Sequence, residues 1–418
     1  MSKILLISHI FPPAVDGGSR VIYKLGQQFE ARGHNTLYLS SNCSSTDDFV
    51  NKVSLIKGKA PQQWGKGFIK LPVYTYLRKP LKFLNLFIPK KFYLYHFIKV
   101  FQKGPIFKFI PFLKAIVKII KFNPDLIVAG PLPTTIVIYA HFFKFITNAL
   151  THQHSKVLIN ASFHHTDPDF HQFPLIKALQ KADYLWTLTE FETNYFVKNF
   201  KISINKIILA GNGVNPEFLI KKNKVKKSTI YDLKTTILFI GSLSAHKRVE
   251  LLINSFSSLF TNKLINYSSI QLIIAGQKTL YYPIIKQTYD SLPLKIKNNI
   301  KFVFSFPQNK LVKLIDNCDF LVLPSIQESF GLVVIESWAR GKPVIVSNIP
   351  SLSEIVSKSK GGLIFKKDNY TNLAQKMDIL IKSPKLCIQY GQNGLKYVKN
   401  NYSWEKVSQL ICQKVKLS

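Results

Sequence analysis

Pro324-Ser-Ile-Gln-Glu-Ser-Phe-Gly-Leu-Val-Val-Ile-Glu336, entered from Asp319-Phe-Leu-Val-Leu323, decides the fold of this chain. The apolar run up to Leu323 has strand character, and Pro324 takes the backbone out of the sheet. A short polar loop follows. From about Phe330 the pattern predicts a helix through Glu336 towards Arg340, stopped by Gly341. Lys342-Pro-Val-Ile-Val346 reads as the next strand. This is a strand–loop–helix–strand unit of a parallel α/β sheet, where ligands sit beyond the carboxyl ends of the strands. Glu328 falls in the loop at that end. Glu336, eight residues on, is expected to point to the same side. Between them, the amides around Phe330, Gly331 and Leu332 start the helix, a place that attracts phosphate.

Glu-x7-Glu inside P-S-x-x-E-S-F-G-L-V-V-I-E resembles the signature of retaining glycosyltransferases of the GT-B fold, family 4 (glycosyl transferases group 1). The resemblance implies an α/β architecture of two Rossmann-like parallel-sheet domains facing across a cleft. It gives Glu328 the donor sugar hydroxyls and Glu336 the nucleotide ribose. Taken alone, two carboxylates near a helix start are an ordinary solvated feature, since acids favour that end of the helix dipole. The P-S and F-G-L context sets this pair apart.

Working outward, 418 residues exceed one ordinary core and suggest two or three domains. With 46% apolar and 19% charged residues, the composition is that of a folded protein. The formal charge of +35 comes almost entirely from Lys, because Arg occurs only at Arg20, Arg32, Arg78, Arg248 and Arg340. Such a chain is poorly equipped for bidentate base or phosphate readout, so no nucleic acid partner is expected. The field would still draw it towards acidic lipid or a nucleotide diphosphate. Cys43, Cys318, Cys387 and Cys412 are scattered, with no metal spacing, and read as reduced thiols of a cytoplasmic protein. Ile4-Leu-Leu-Ile7 is too short for a signal peptide and suits a first strand. No uninterrupted apolar stretch reaches membrane-spanning length; Leu126 to Phe143 is broken by Gly130-Pro-Leu-Pro133.

The opening, Lys3 to Leu39, reads as βαβ without the G-x-G-x-x-G fingerprint. Its F-P-P-x-x-x-G-G-S-R phrase resembles the family's first loop, which implies that Gly17 and Gly18 approach the donor diphosphate. The segment 60–122 alternates Lys with large apolar residues, and from Phe109 the lysines 114, 118 and 121 recur at helical spacing. Two readings stand for it: a basic amphipathic surface on an anionic membrane, or an ordinary helix packed on its domain with a solvated Lys edge. Lys156 to Phe163 is a strand ending at His164-His165-Thr-Asp-Pro168, where the resemblance implies one His beside the reacting centre. The sequence order leaves His164 and His165 both open. Nearby His152 and His154 lack the convergent ligands of a metal site.

Gly211-Asn-Gly-Val-Asn-Pro216 resembles the phrase that closes the family's first domain, and the lysines from 221 to 227 suit a solvated linker. Domains are expected at 1–212 and 213–395, with 396–418 a helix crossing back to the first, Trp404 its anchor. Gly241-Ser-Leu, followed by Lys247, resembles G-R-L-x-x-x-K-G, whose Arg and Lys grip the diphosphate. Lys247 matches; Ser242 stands at the Arg position, and Arg248 at the usual Gly. The implied activity is hexose-type transfer from a nucleotide-sugar donor to a glycan, lipid-linked or other acceptor. Glu328, Lys247 and one of His164 and His165 are the catalytic set, and Gly17, Gly18, Gly241, Ser242, Phe330, Gly331, Leu332 and Glu336 bind the donor. No metal and no cofactor are expected, because cationic and amide groups replace the divalent ion. The protein is expected in the cytoplasm, with peripheral contact on the inner membrane face through 60–122. Alternatives are a nucleotide-sugar epimerase of the same fold and a non-catalytic membrane- or nucleic-acid-docking relative.

Overall fold

Runs that are apolar at every position, such as Leu126-Ile-Val-Ala129 and Phe320-Leu-Val-Leu323, suit strands covered on both faces, and they lie inside two parallel sheets in this chain. The computed structural model describes residues 1–11, 17–43, 67–74, 78–152, 154–220, 234–261, 270–304 and 308–417. The predicted linker lysines at 221–227 and residues 12–16 of the first loop lie outside the described residues. The chain divides into two units: Met1–Gly213 together with Trp404–Ser418, and Val214–Ser403.

The first unit carries β1 (Lys3–Ile7), β2 (Asn35–Ser41), β3 (Phe68–Leu71), β4 (Leu126–Ala129), β5 (Lys156–Asn160), β6 (Tyr184–Thr187) and β7 (Ile207–Leu209). Their order in the sheet is β3-β2-β1-β4-β5-β6-β7, all parallel. Leu5, Ile127, Val157 and Leu185 from neighbouring strands share one buried core with Phe143 and Phe196. Where the sequence predicts a helix from Phe109 alone, the described residues of 60–122 contain β3 and three helices, Arg78–Phe87, Tyr93–Lys103 and Phe109–Phe122. The last helix of the chain, Trp404–Val415, also packs in this unit. Trp404 is buried edge-on against Trp186 at 6.5 Å, and a side chain on Gly213 would meet its ring at 2.3 Å. Arg32 donates to Ser408 Oγ (3.2 Å) and to the Glu405 carbonyl (3.1 Å), and Lys156 donates to the carbonyl of Val415 (3.2 Å), near the negative end of that helix. Lys396 lies earlier, inside the helix Pro384–Asn401 of the second unit.

The second unit carries β8 (Thr235–Ile240), β9 (Ile270–Ala275), β10 (Ile300–Val303), β11 (Phe320–Leu323), β12 (Val344–Ser347) and β13 (Gly362–Phe365). The order β10-β9-β8-β11-β12-β13 is the doubly wound one, reversing direction between β8 and β11. Trp338 fills the core under β12 and donates its Nε1 to the Gly361 carbonyl at 2.8 Å. Arg340 closes the same helix from below. Its planar fork bonds both oxygens of Asp316 (2.8 and 3.0 Å) and the carbonyls of Phe218 (3.1 Å) and Ile220 (2.5 Å). The Arg340 side chain is only 6% exposed. Arg340→Ala is therefore expected to destabilise the unit by about 3 kcal/mol, because the largely buried Asp316 carboxylate loses both of its bonds to the guanidinium. Thermal unfolding of the variant checks this.

Candidate active site

Because β8 and β11 diverge in their connections, the loops after them border a crevice at their carboxyl ends. Both loops carry charge there. After β8 comes Gly241-Ser242, then a tight turn Ala245–Lys247; after β11 comes Pro324 to Gly331. The turn places Lys247 against the second loop, where its Nζ forms an ion pair with Glu328 Oε1. The two side chains are 16% and 12% exposed, so each charge is largely removed from water and compensated by the other. Ser325 Oγ donates to the same carboxylate oxygen (3.0 Å), and Ser351 Oγ donates to the Glu328 carbonyl (2.7 Å). The Ile326 amide bonds the His246 carbonyl at 2.9 Å, tying the two loops together. Glu328 is thus a positioned carboxylate rather than a solvated one.

Gly331 is the N-cap of the helix Leu332–Ala339 and takes φ +84°, a left-handed backbone that favours glycine. The helix begins at Leu332, later than the sequence predicts, since Phe330 turns inward and packs edge-on against Tyr402 at 5.0 Å. Only the part from Leu332 to Glu336 is helical, so the spacing argument from Glu328 does not apply as two helical turns. Glu336 lies on this helix and is 8% exposed. Gly241 follows β8 directly; its amide bonds the Ala275 carbonyl (3.0 Å), and the Lys247 Cε lies 3.7 Å from where a Gly241 side chain would begin.

Ser242, at the position where a cation was expected, bonds Ser244 Oγ (3.1 Å), which in turn lies 3.3 Å from His246 Nδ1. Arg248 does not replace the missing charge there: its Nε pairs with Asp368 at 2.9 Å. Its backbone is left-handed (φ +52°), the conformation for which a glycine is the natural residue. Arg248→Gly removes that backbone cost and the partly exposed ion pair together, so stability is expected to stay within about 1 kcal/mol of the parent. A denaturant titration measures it.

The other sequence-predicted residues belong to the first unit. Gly17 and Gly18 open the helix Gly17–Ala31, and Gly18 is held against Pro131 in the loop after β4, 2.5 Å from where its side chain would stand. His164 and His165 follow β5 in a loop, both half-buried. The His164 ring meets Phe170 edge-on at 5.2 Å, and the His165 ring meets Phe191 at 4.8 Å. The buried carboxylate of Glu192 fixes this loop by accepting from the Phe163 amide (2.9 Å) and the Leu188 amide (2.5 Å). The sequence reading missed Glu192, Ser325 and Ser351. Ser325 alone left a signal, three residues ahead of Glu328; the other two act through contacts that only the fold creates.

Two Rossmann-like units of this kind define the GT-B fold. The chain superposes on the crystal structure of Anabaena Alr3699/HepE in complex with UDP and glucose with a TM-score of 0.70, covering 100% of both chains at 14% identity. Residues 220–397, the segment that holds Lys247, Glu328 and Glu336, match the family described as glycosyl transferases group 1. The chain is 29% identical over 230 residues to the uncharacterized glycosyltransferase MJ1178 of Methanocaldococcus jannaschii, covering 55% of this chain. It is 25% identical over 241 residues to the O-antigen chain mannosyltransferase RfbU of Salmonella typhimurium, covering 56% of this chain. The alignments span 58% and 63% of those two relatives' own lengths.

Proposed function

We propose that this chain is a retaining glycosyltransferase of family 4 that moves a hexose-type sugar from a nucleotide-sugar to a glycan or lipid-linked acceptor in surface polysaccharide or glycoconjugate synthesis. The observation that carries the proposal is the Lys247–Glu328 pair, set at the switch point of a doubly wound sheet within a group 1 segment. A nucleoside diphosphate is a dianionic or trianionic ligand that competes for Lys247. As it takes the cation, Glu328 is released to accept hydrogen bonds from donor sugar hydroxyls. Lys247, the Phe330–Leu332 helix start and the Gly17–Gly18 amides would offset the charge that grows on the leaving diphosphate. Glu336 would hold the ribose, and His164 or His165 would steady the reacting centre. In this reading no divalent ion is needed, since the cation and the amides do its work.

RfbU, as an O-antigen chain mannosyltransferase, supports a role in polysaccharide assembly, and HepE, as a UDP complex, makes UDP-sugars the first donors to try. The lysines and apolar residues of 60–122 support peripheral contact with an anionic membrane at its cytoplasmic face. No helix among the described residues is long and apolar enough to cross a membrane.

The test is donor turnover with UDP-, GDP- and ADP-sugars in the presence of EDTA, reading released nucleoside diphosphate and, by NMR, the anomer first formed. One donor class is expected to turn over with its anomeric configuration kept. An inverted product removes the retaining assignment, and no turnover or binding of any donor removes the transferase reading.

A further inference from the structure

The helices Arg78–Phe87 and Tyr93–Lys103 are tied to their unit along one side. Tyr93 meets Phe173 edge-on at 5.4 Å, and His96 Nδ1 lies 2.9 Å from Gln172 Oε1. Between the two helices runs a groove of about 700 Å³ whose lining residues are all apolar, among them Leu84, Phe87, Leu94, Phe97 and Phe101. Its rim is uncovered: Phe83, Phe87 and Leu94 are 64%, 69% and 53% exposed. A contiguous apolar surface of this kind marks an interaction site, because leaving it in water is unfavourable. The charge around it has one sign. Residues 78–122 hold eleven Lys and Arg and no Asp or Glu, and Lys82, Lys90 and Lys91, on these helices and the turn joining them, are exposed. The complementary occupant carries hydrocarbon and negative charge on one molecule. A flat bilayer meets protruding side chains, whereas a walled groove of this volume matches an individual chain.

We infer that this groove takes the hydrocarbon chain of an anionic amphiphile, and that the acceptor of the transfer is such a lipid-linked molecule, its phosphate facing the lysines. The identity of the acceptor rests on the transferase reading above; the binding of the chain does not.

The experiment titrates the full chain with n-alkyl phosphates of increasing length, each below its micelle-forming concentration, and with alkyl glucosides of matched length. Affinity is expected to rise about fourfold per added methylene until the groove is filled. At equal length the phosphate should bind more tightly than the glucoside, and added salt should narrow the difference. Leu84→Trp fills the groove from a half-exposed position and is expected to weaken the longest phosphate at least tenfold, its melting temperature reporting that the fold is kept. Affinity independent of chain length, or binding to anionic vesicles with none to monomers, overturns the assignment. Nucleotide-sugar turnover is read on the same preparation. Turnover without alkyl phosphate binding defeats this inference alone; alkyl phosphate binding without turnover defeats the transferase reading and leaves the groove standing.

Discussion

Glu328→Gln is expected to lower donor turnover by about 10²- to 10³-fold while leaving the fold intact. Gln keeps the volume of Glu and an oxygen at the end of the side chain. Ser325 Oγ therefore still finds an acceptor, and Ser351 still bonds the backbone carbonyl, which the substitution does not touch. What is lost is the negative charge that pairs with Lys247 and that, in the proposed reaction, orients the donor sugar. Glu328→Ala provides the contrast. It strands Lys247 in a site where its side chain is 16% exposed, so it is expected to lose turnover and in addition about 3 kcal/mol of stability. Initial rates of nucleoside diphosphate release, read beside thermal melts of both variants, separate chemistry from folding. A Gln variant with parental rates would show that the charge of Glu328 has no part in turnover.

Gly276→Ala is expected to cost more than about 4 kcal/mol and to leave little folded protein. Gly276 follows β9, its amide bonded to the Val303 carbonyl at 2.9 Å. A side chain there would begin 1.7 Å from the Gly241 carbonyl oxygen and 2.8 Å from its carbon. The obstacle is backbone of the neighbouring strand end, which cannot rotate away as a flexible side chain would. Relief requires β8 and β9 to part at their carboxyl ends. The Gly241 amide that bonds Ala275 then separates, and with it the turn that delivers Lys247. Soluble yield and the melting temperature of the second unit measure the effect. A variant within about 1 kcal/mol of the parent would mean that the two strand ends are not packed this closely.

These two effects differ in how far the sequence reveals them. Glu328 stands in a local phrase: an apolar strand, a proline exit, a polar loop and a helix all lie within one stretch, and each leaves its own period or punctuation. Gly276 is one glycine after an apolar run, and only the register of β9 against β8 brings it onto Gly241. The same contrast runs through the chain. The described strands of the second unit are legible because each is a short, mostly apolar run, such as Phe320-Leu-Val-Leu323, set off by polar residues, glycine or proline. The helices Arg78–Phe87 and Tyr93–Lys103 are not, since Pro80 and Pro89 interrupt the pattern and aromatic residues fall on several faces. Arg248 and Arg340 show how a cation can be misplaced by sequence spacing. Arg248 stands next to Lys247 yet turns to Asp368, while Arg340, which marks only a helix end in the sequence, is a buried fork joining Asp316 to two carbonyls. Asp368 and Asp316 both lie far from their arginines in sequence, although Arg248 also reaches Glu250 two residues on at 3.5 Å.

The most direct measurement is a calorimetric titration of UDP, GDP and ADP into the parent chain and into Lys247→Met at fixed ionic strength. One nucleoside diphosphate is expected to bind the parent, and Lys247→Met should weaken that binding by about 10- to 100-fold, the scale of a lost charge-assisted hydrogen bond. Equal affinity in the two proteins, or no binding of any of the three to the parent, would contradict a diphosphate site built on the Lys247–Glu328 pair.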